Sequence, residues 1–209
     1  MSCSPPLIAI DLEGILTPEI WIAVAERTGI DRLRLTTRDI PDYDELMTGR
    51  LRILREHHLR MRDIQAVIET LDPLPGALDF LNWARSHAPL VILSDTFYEF
   101  ARPLMAKLGD PTLFCNSLEV DSDNRIAAYH LRQPNGKQKT VAGFKGLGFR
   151  VLAIGDSYND TAMLGEADAG ILFRPSANVA AEFPQFPVCH EYSELQVYIT
   201  EHLKEHHDA

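Results

Sequence analysis

The sequence predicts an α/β fold: a Rossmann-like core built on a parallel sheet, with a small helical cap inserted after the first strand. Three observations predict it. Two short apolar runs, Leu7-Ile-Ala-Ile-Asp11 and Val151-Leu-Ala-Ile154, each end in a turn that carries carboxylates, and such runs read as buried strands of a parallel sheet. A tract of helical character from Pro18 to Leu71 contains no strand and is too long for one crossover. After the break Asp72-Pro-Leu-Pro-Gly76, strand-like and helix-like segments alternate. The expected organisation is a core of residues 1–16 and 72–209 and a cap of residues 17–71.

The elements follow in order. Leu7–Asp11 is the first strand. In the helical tract, Ile20–Ala25 is helical by composition. Tyr43–His58 carries Leu46, Met47, Leu51 and Leu54 near helical spacing. Ile64, Val67, Ile68 and Leu71 repeat at i, i+3, i+4 and i+7. Beyond the break, Ala77, Phe80, Leu81 and Ala84 make one helix face. Leu90–Leu93 is a second core strand ending at Ser94-Asp95-Thr96, and Thr96 with Glu99 forms a capping box for the next helix. Leu113–Cys115 is a short strand. Leu118–Val120 and Ile126–Leu131 flank Asp121-Ser-Asp-Asn124 as a hairpin. Lys137–Leu147 is helical, Val151–Ile154 and Ile171–Phe173 are strands, and Ser193 with Gln196 caps a final helix. The polar tail from Glu205 is expected to fray.

Composition limits the function. The 209 residues are 45% hydrophobic, with a net charge of −10 and a pI near 5.2. A chain this acidic is a poor partner for nucleic acid or an anionic membrane. Cys3, Cys115 and Cys189 form no zinc pattern and no disulfide framework, so free thiols in a reducing cytosol are expected. The N-terminus has no basic region and no long apolar stretch, so neither a signal peptide nor a membrane span is expected. The eight histidines show no metal spacing.

The chemistry concentrates at the strand ends, where open α/β sheets bind ligands. Asp11, Glu13, Asp156 and Asp160 bring several negative charges to one rim, and a hard cation such as Mg²⁺ offsets that crowding. With phosphoryl oxygens neutralised, Asp11 can attack phosphorus. Glu13, on the same side of an extended backbone, can donate and then take up a proton. Asp-x-Glu-Gly alone suits a turn or helix-capping aspartate as well as it suits a nucleophile. Ser94, with the Asp95 N–H, can hold a phosphoryl oxygen, although a helix N-cap is the commoner use of such a serine. Lys137, with Lys139 and Lys145 as rivals, can offset the charge on the transferring group. Gly155-Asp-Ser-Tyr-Asn-Asp160 is the sharpest signal. Asp156 can bind metal directly, Asp160 can do so through water or orient Lys137, and Asn159 can donate to the phosphate.

These four elements, in this order, resemble the haloacid dehalogenase superfamily of phosphatases and phosphotransferases over the whole chain. The resemblance implies a nucleophile at Asp11, an acid/base at Glu13, a phosphate-binding Ser94, a Lys at Lys137 and metal-binding acids at Asp156 and Asp160. It adds the backbone carbonyl of Glu13 as a metal ligand. Within the superfamily the chain is similar to the phosphoserine phosphatases, whose cap Arg and early Glu meet the substrate carboxylate and ammonium. Arg50 and Glu19 stand in those places. Stretches such as Leu-Ser-Asp-Thr-Phe-Tyr-Glu-Phe and Gly-Asp-Ser-Tyr-Asn-Asp look like the bifunctional phosphoserine phosphatase/homoserine phosphotransferase branch. So does Glu13, where most of the superfamily has Asp. The resemblance therefore implies Mg²⁺ as cofactor, L-phosphoserine as donor and homoserine as a second acceptor.

Overall fold

The computed structural model describes residues 4–36, 39–40 and 42–204. Cys3 and the tail from Glu205 lie outside the described residues. Strand β1 is Pro6–Ile10, and the chain then enters the helices α1 (Ile20–Thr28), α2 (Tyr43–Glu56) and α3 (Met61–Glu69). Helix α4 (Ala77–His87) leads into β2 (Leu90–Phe97), α5 (Tyr98–Lys107), β3 (Leu113–Val120) and β4 (Ile126–His130). Then come α6 (Gly136–Gly146), β5 (Arg150–Gly155), α7 (Thr161–Glu166), β6 (Ala169–Phe173), α8 (Ala177–Glu182), β7 (Val188–Cys189) and α9 (Tyr192–Lys204).

The sheet runs β4-β3-β2-β1-β5-β6-β7, parallel throughout except for β4, which pairs antiparallel with β3. Numbered among themselves in chain order, the six parallel strands take the order 3-2-1-4-5-6. This is the Rossmann arrangement, and its switch point lies between β1 and β5. Ile8 pairs with Leu90 on one side and Leu152 on the other, so β1 is central.

Strand parity builds two apolar layers, because successive side chains point to opposite faces. Ile8 and Ile10 join Ile92 and Ile154 on one face, covered by Phe80 of α4, Phe100 and Leu104 of α5, and Leu195 and Ile199 of α9. Leu7 and Ala9 join Val91, Leu93, Val151 and Ala153 on the other, covered by Val141 of α6 and by Met163 and Leu164 of α7. Burying each large aliphatic side chain contributes about 1.5–3 kcal/mol. Val24, Met47, Leu51, Leu54, Ile64 and Ile68 of α1–α3 belong to the first cluster, so the inserted helices share one core with the sheet. No helix among the described residues is long and apolar enough to cross a membrane.

Three expectations are corrected. Thr96 does not cap α5: it lies inside β2, and Glu99 accepts the Leu118 N–H at 2.9 Å instead. A bond to the neighbouring strand has displaced the local box. The final helix begins at Tyr192, and Glu194, not Gln196, receives the His190 and Glu191 N–H groups at 2.6 and 3.1 Å. Leu113–Cys115 and Leu118–Val120 are parts of one strand, β3, which first pairs parallel with β2 and then antiparallel with β4. The short elements α7, α8 and β7 had no periodic signal of their own. Cys115 and Cys189 are buried free thiols.

Candidate active site

Asp11 and Asp156 follow directly on β1 and β5, the two strands that flank the switch point. The Asp11 N–H donates to the Ile154 carbonyl at 3.0 Å and ties the strand ends together. The chain then turns through Gly14, at φ +79°, where the N–H donates to the Thr17 carbonyl at 2.8 Å. A Cβ on Gly14 would stand 2.4 Å from Asp156 Oδ2, so only glycine lets this loop lie against that carboxylate.

Lys137 is the hub. Its ammonium donates to Asp11 Oδ1 at 2.9 Å and to Asp160 Oδ1 at 2.7 Å, and lies 3.5 Å from Asp95 Oδ2. All but Asp95 are buried. Burial works against its charge, but the carboxylates of Asp11, Asp160 and Asp95 hold the Lys137 pKa well above the usual lysine value. Asp160 is fully enclosed. Its other oxygen accepts the N–H groups of Asp156 and Ser157 at 3.0 and 3.2 Å, which fixes the loop after β5. Lys145 stands elsewhere, bonded to the Glu166 carbonyl at 2.7 Å, and Lys139 is exposed.

The acids crowd one another. Burial first, then the charge of Asp160, raises the Asp11 pKa well above the carboxylate range. Burial followed by Asp160 and Glu19 pushes Asp156 up to about 7. Glu13 is pushed to about 8 by burial and then by Glu19, with which it shares a hydrogen bond. Thr96 donates to the Glu13 carboxylate, and the Ile20 N–H reaches its Oε2 at 3.1 Å. Oxygens of Asp11, Asp156 and Asp160 lie within 4.8 Å of one another, the one such cluster of metal-ligating side chains among the described residues. An all-carboxylate donor set with a single shared lysine fits a hard divalent cation such as Mg²⁺.

Ser94 and Asp95 sit where β2 loses its register with β3, between Leu93 and Phe97. Ser94 is buried, and its hydroxyl accepts the Thr96 N–H at 3.2 Å. The Asp95 carbonyl accepts the Tyr43 hydroxyl at 3.1 Å and the Asn116 amide at 3.0 Å. Asn159 Nδ2 donates to Asp95 Oδ2 at 2.9 Å, so in this structure its amide is turned to that carboxylate.

A cavity of about 180 Å³ joins these groups to the inserted helices: Asp11, Glu13, Ser94, Lys137 and Asp156 on one side, Glu19, Tyr43 and Arg50 on the other. Glu19 is exposed, at the N-terminus of α1. Arg50 is buried. Its guanidinium lies 4.6 Å over the Trp21 ring, one nitrogen donates to the Leu35 carbonyl at 2.7 Å, and Nε has no partner. Burial pushes its pKa down to about 10. Met47 packs in the core.

The structure thus brings together all ten sequence-predicted residues: Asp11, Glu13, Glu19, Arg50, Ser94, Asp95, Lys137, Asp156, Asn159 and Asp160. Sequence reasoning missed Asn116, whose amide joins Asp95 to the Arg132 N–H, which it accepts at 3.0 Å. An asparagine inside a strand carries no local signal for such a tie. The glycine before Asp156 yields a prediction. A Cβ on Gly155 would lie 2.3 Å from Asp160 Cβ. Gly155→Ala must therefore displace the Lys137 anchor, costing about 1–3 kcal/mol of stability. Thermal melting checks this, and a wild-type melting temperature would refute the contact.

Known proteins resemble this chain in sequence and in fold. The model of the haloacid dehalogenase-like hydrolases matches residues 16–165. A phosphoserine phosphatase of Pseudomonas syringae pv. tomato is 59% identical over 194 residues, 93% of this chain and 82% of that protein. Phosphoserine phosphatase ThrH of Pseudomonas aeruginosa is 60% identical over 190 residues, 91% of this chain and 93% of that protein. Among solved structures, the phosphoserine phosphatase of T. onnurineus superposes with a TM-score of 0.70 at 25% identity, covering 94% of each chain. A phosphoserine phosphatase holding an analogue of its phospho-aspartyl intermediate shares the fold, with a TM-score of 0.77 at 18% identity, over 94% of this chain and 99% of that one.

Proposed function

The chain belongs to the haloacid dehalogenase-like hydrolase family, and from that premise we propose that it is a Mg²⁺-dependent phosphoserine phosphatase working through an aspartyl phosphate on Asp11. The observation that carries the reading is the buried convergence of Asp11 and Asp160 on Lys137, with Asp156 and Ser94 in the same pocket. Relatives about 60% identical over nine-tenths of the chain supply the substrate.

Asp11 attacks phosphorus, and the bond from phosphorus to the serine oxygen breaks. Glu13, protonated at neutral pH when its pKa is near 8, gives the departing oxygen its proton. The resulting carboxylate then takes a proton from the water that attacks phospho-Asp11, which returns Asp11 and releases phosphate. Lys137 fixes the rotation of the Asp11 carboxylate and offsets charge on the transferring group. Ser94 and the Asp95 N–H hold phosphoryl oxygens. Asp11, Asp156, Asp160 and the Glu13 carbonyl would hold Mg²⁺, and the bound ion would supply the positive charge that lets an anionic nucleophile approach an anionic ester.

Residues 17–71 act as a cap that selects the amino-acid head group. Arg50 takes the α-carboxylate and Glu19 the ammonium. The unpartnered Arg50 Nε supports this assignment, since a buried donor without an acceptor costs about 1–3 kcal/mol and a ligand carboxylate would satisfy it. Homoserine, held by the same two residues, serves as a second acceptor. Its hydroxyl stands one methylene further out, within reach of a base one methylene longer than aspartate. A cytosolic location accords with the free thiols, and the net charge of −10 leaves nucleic acid and anionic membranes out of the account.

Phosphate release from a panel of small phosphomonoesters, with Mg²⁺ or EDTA and with or without homoserine, tests this reading. Phosphoserine is expected to lead the panel, with no release in EDTA and O-phosphohomoserine formed when homoserine is present. Arg50→Ala is expected to lower phosphoserine turnover by roughly tenfold or more, as loss of a charge-assisted hydrogen bond does. Turnover of phosphoethanolamine, which lacks the carboxylate, should be unaffected. An equal loss on both esters would move Arg50 from the carboxylate to the phosphate or the fold.

A further inference from the structure

We propose that Tyr43 is the partition that sets the size of the phosphate ester this site accepts, and that the cavity behind it is a subsite for esters of bulky aromatic alcohols. The inference rests on the phosphatase reading above and concerns its specificity. A second cavity of about 560 Å³, three times the volume of the substrate pocket, adjoins that pocket. Six residues face both: Tyr43, Ser94, Asp95, Lys137, Tyr158 and Asn159. Five come from the strand ends and the loops and helices beside them. Tyr43 alone comes from the inserted helices, at the first turn of α2.

The core members of this wall are held by mutual bonds. Lys137 is fixed by Asp11 and Asp160, and Asn159 by Asp95. They also serve the phosphate, so they cannot be removed without losing the reaction. Tyr43 closes the wall from the side of the inserted helices. Its hydroxyl donates to the Asp95 carbonyl at 3.1 Å, and its ring meets the Tyr129 ring edge-on at 5.9 Å. Both contacts hold the ring in one position, and burial pushes the phenol pKa well up, so it stays a neutral donor.

The larger cavity has a chemistry of its own. Phe114, Leu131 and Pro134 give it apolar surface, and Arg132 stacks its guanidinium 4.1 Å over the Phe114 ring. A flat aromatic group suits such a lining. For the head group of an amino acid, the smaller pocket offers the pair Glu19 and Arg50. With Tyr43 in place, the phosphoryl group and its leaving group share about 180 Å³. Without the ring, the wall between the two cavities keeps only its five other members.

The test compares p-nitrophenyl phosphate with phosphoserine. Wild-type release from phosphoserine tests the underlying reading independently. Tyr43→Ala is expected to raise the ratio of kcat/KM for the aromatic ester to that for phosphoserine by about tenfold or more, mainly through KM, as pocket volume does. Tyr43→Phe keeps the ring and should keep the wild-type ratio. Leu131→Trp, at a residue facing only the larger cavity, should cancel the gain when combined with Tyr43→Ala. If Tyr43→Ala fails to fold, Tyr43→Val makes the same comparison. An unchanged ratio in the folded small-residue variant would overturn the proposal. So would an equal shift in Tyr43→Phe, which would assign the effect to the Asp95 bond, or a gain that survives Leu131→Trp.

Discussion

Asp11→Asn is expected to lower phosphate release from phosphoserine by about three orders of magnitude or more, the scale on which a lost nucleophile acts, while the protein stays folded. The amide keeps the shape of the side chain and an acceptor oxygen toward Lys137, but it cannot form the acyl phosphate. Stability should not suffer. The Asp11 pKa is raised in the fold by burial and by Asp160. A carboxyl with a raised pKa favours folding when protonated, and that contribution is lost as pH rises through the folded-state value. Burial and the charge of Asp160 disfavour a negative charge at this position, and the neutral amide carries none. Lys137 keeps Asp160 and Asp95 as partners. The melting temperature in EDTA should match or exceed that of the wild type. Ordinary turnover by the folded variant would remove Asp11 from the chemistry.

Lys137→Met carries the second large effect, and it falls on both stability and activity. Methionine fills much the same space but leaves the buried Asp11 and Asp160 with no cation. Removing one member of a buried ionic cluster costs about 3–5 kcal/mol. In a chain of this size that lowers the melting temperature by roughly 10 °C. Turnover should fall by at least about 10²–10³-fold, as it does when a charge aimed at the transition state is removed. Added Mg²⁺ should restore more of the melting temperature in the variant than it adds to the wild type, since it meets the same carboxylates. Lys145→Met, on the Glu166 carbonyl and Asp168, should leave phosphate release untouched. A Lys137→Met protein that melts with the wild type would show that the three acids are not held by this charge.

The strand ends were legible because parallel strands in this fold are short, apolar and buried on both faces, so Asp11 and Asp156 announce themselves where each run stops. Lys137 was less legible: three lysines follow the same polar loop, and only the fold brings one of them 126 residues back to Asp11. Arg50 reads as part of a solvated basic tract with Arg52 and Arg55, yet Met47, Arg50 and Leu54 share one helix face, and that spacing marks its burial. Thr96 and Glu99 satisfied a capping rule that lost to tertiary contacts, Thr96 turning to Glu13 and Glu99 to Leu118. Tyr43 was readable from the sequence as a pocket-lining residue, and it lines the pocket; Asn116 depends on which elements become neighbours, and no local pattern encodes that.

The most direct measurement is acid quenching of the enzyme during turnover of ³²P-labelled phosphoserine in Mg²⁺, followed by peptide mapping. The account predicts label on the peptide that carries Asp11, lost on treatment with hydroxylamine as an acyl phosphate is. It predicts none in Asp11→Asn, and passage of the label to O-phosphohomoserine when homoserine is added before the quench. Quenched wild-type enzyme that carries no label while releasing phosphate at its full rate, with Asp11→Asn equally active, would contradict a covalent route through Asp11.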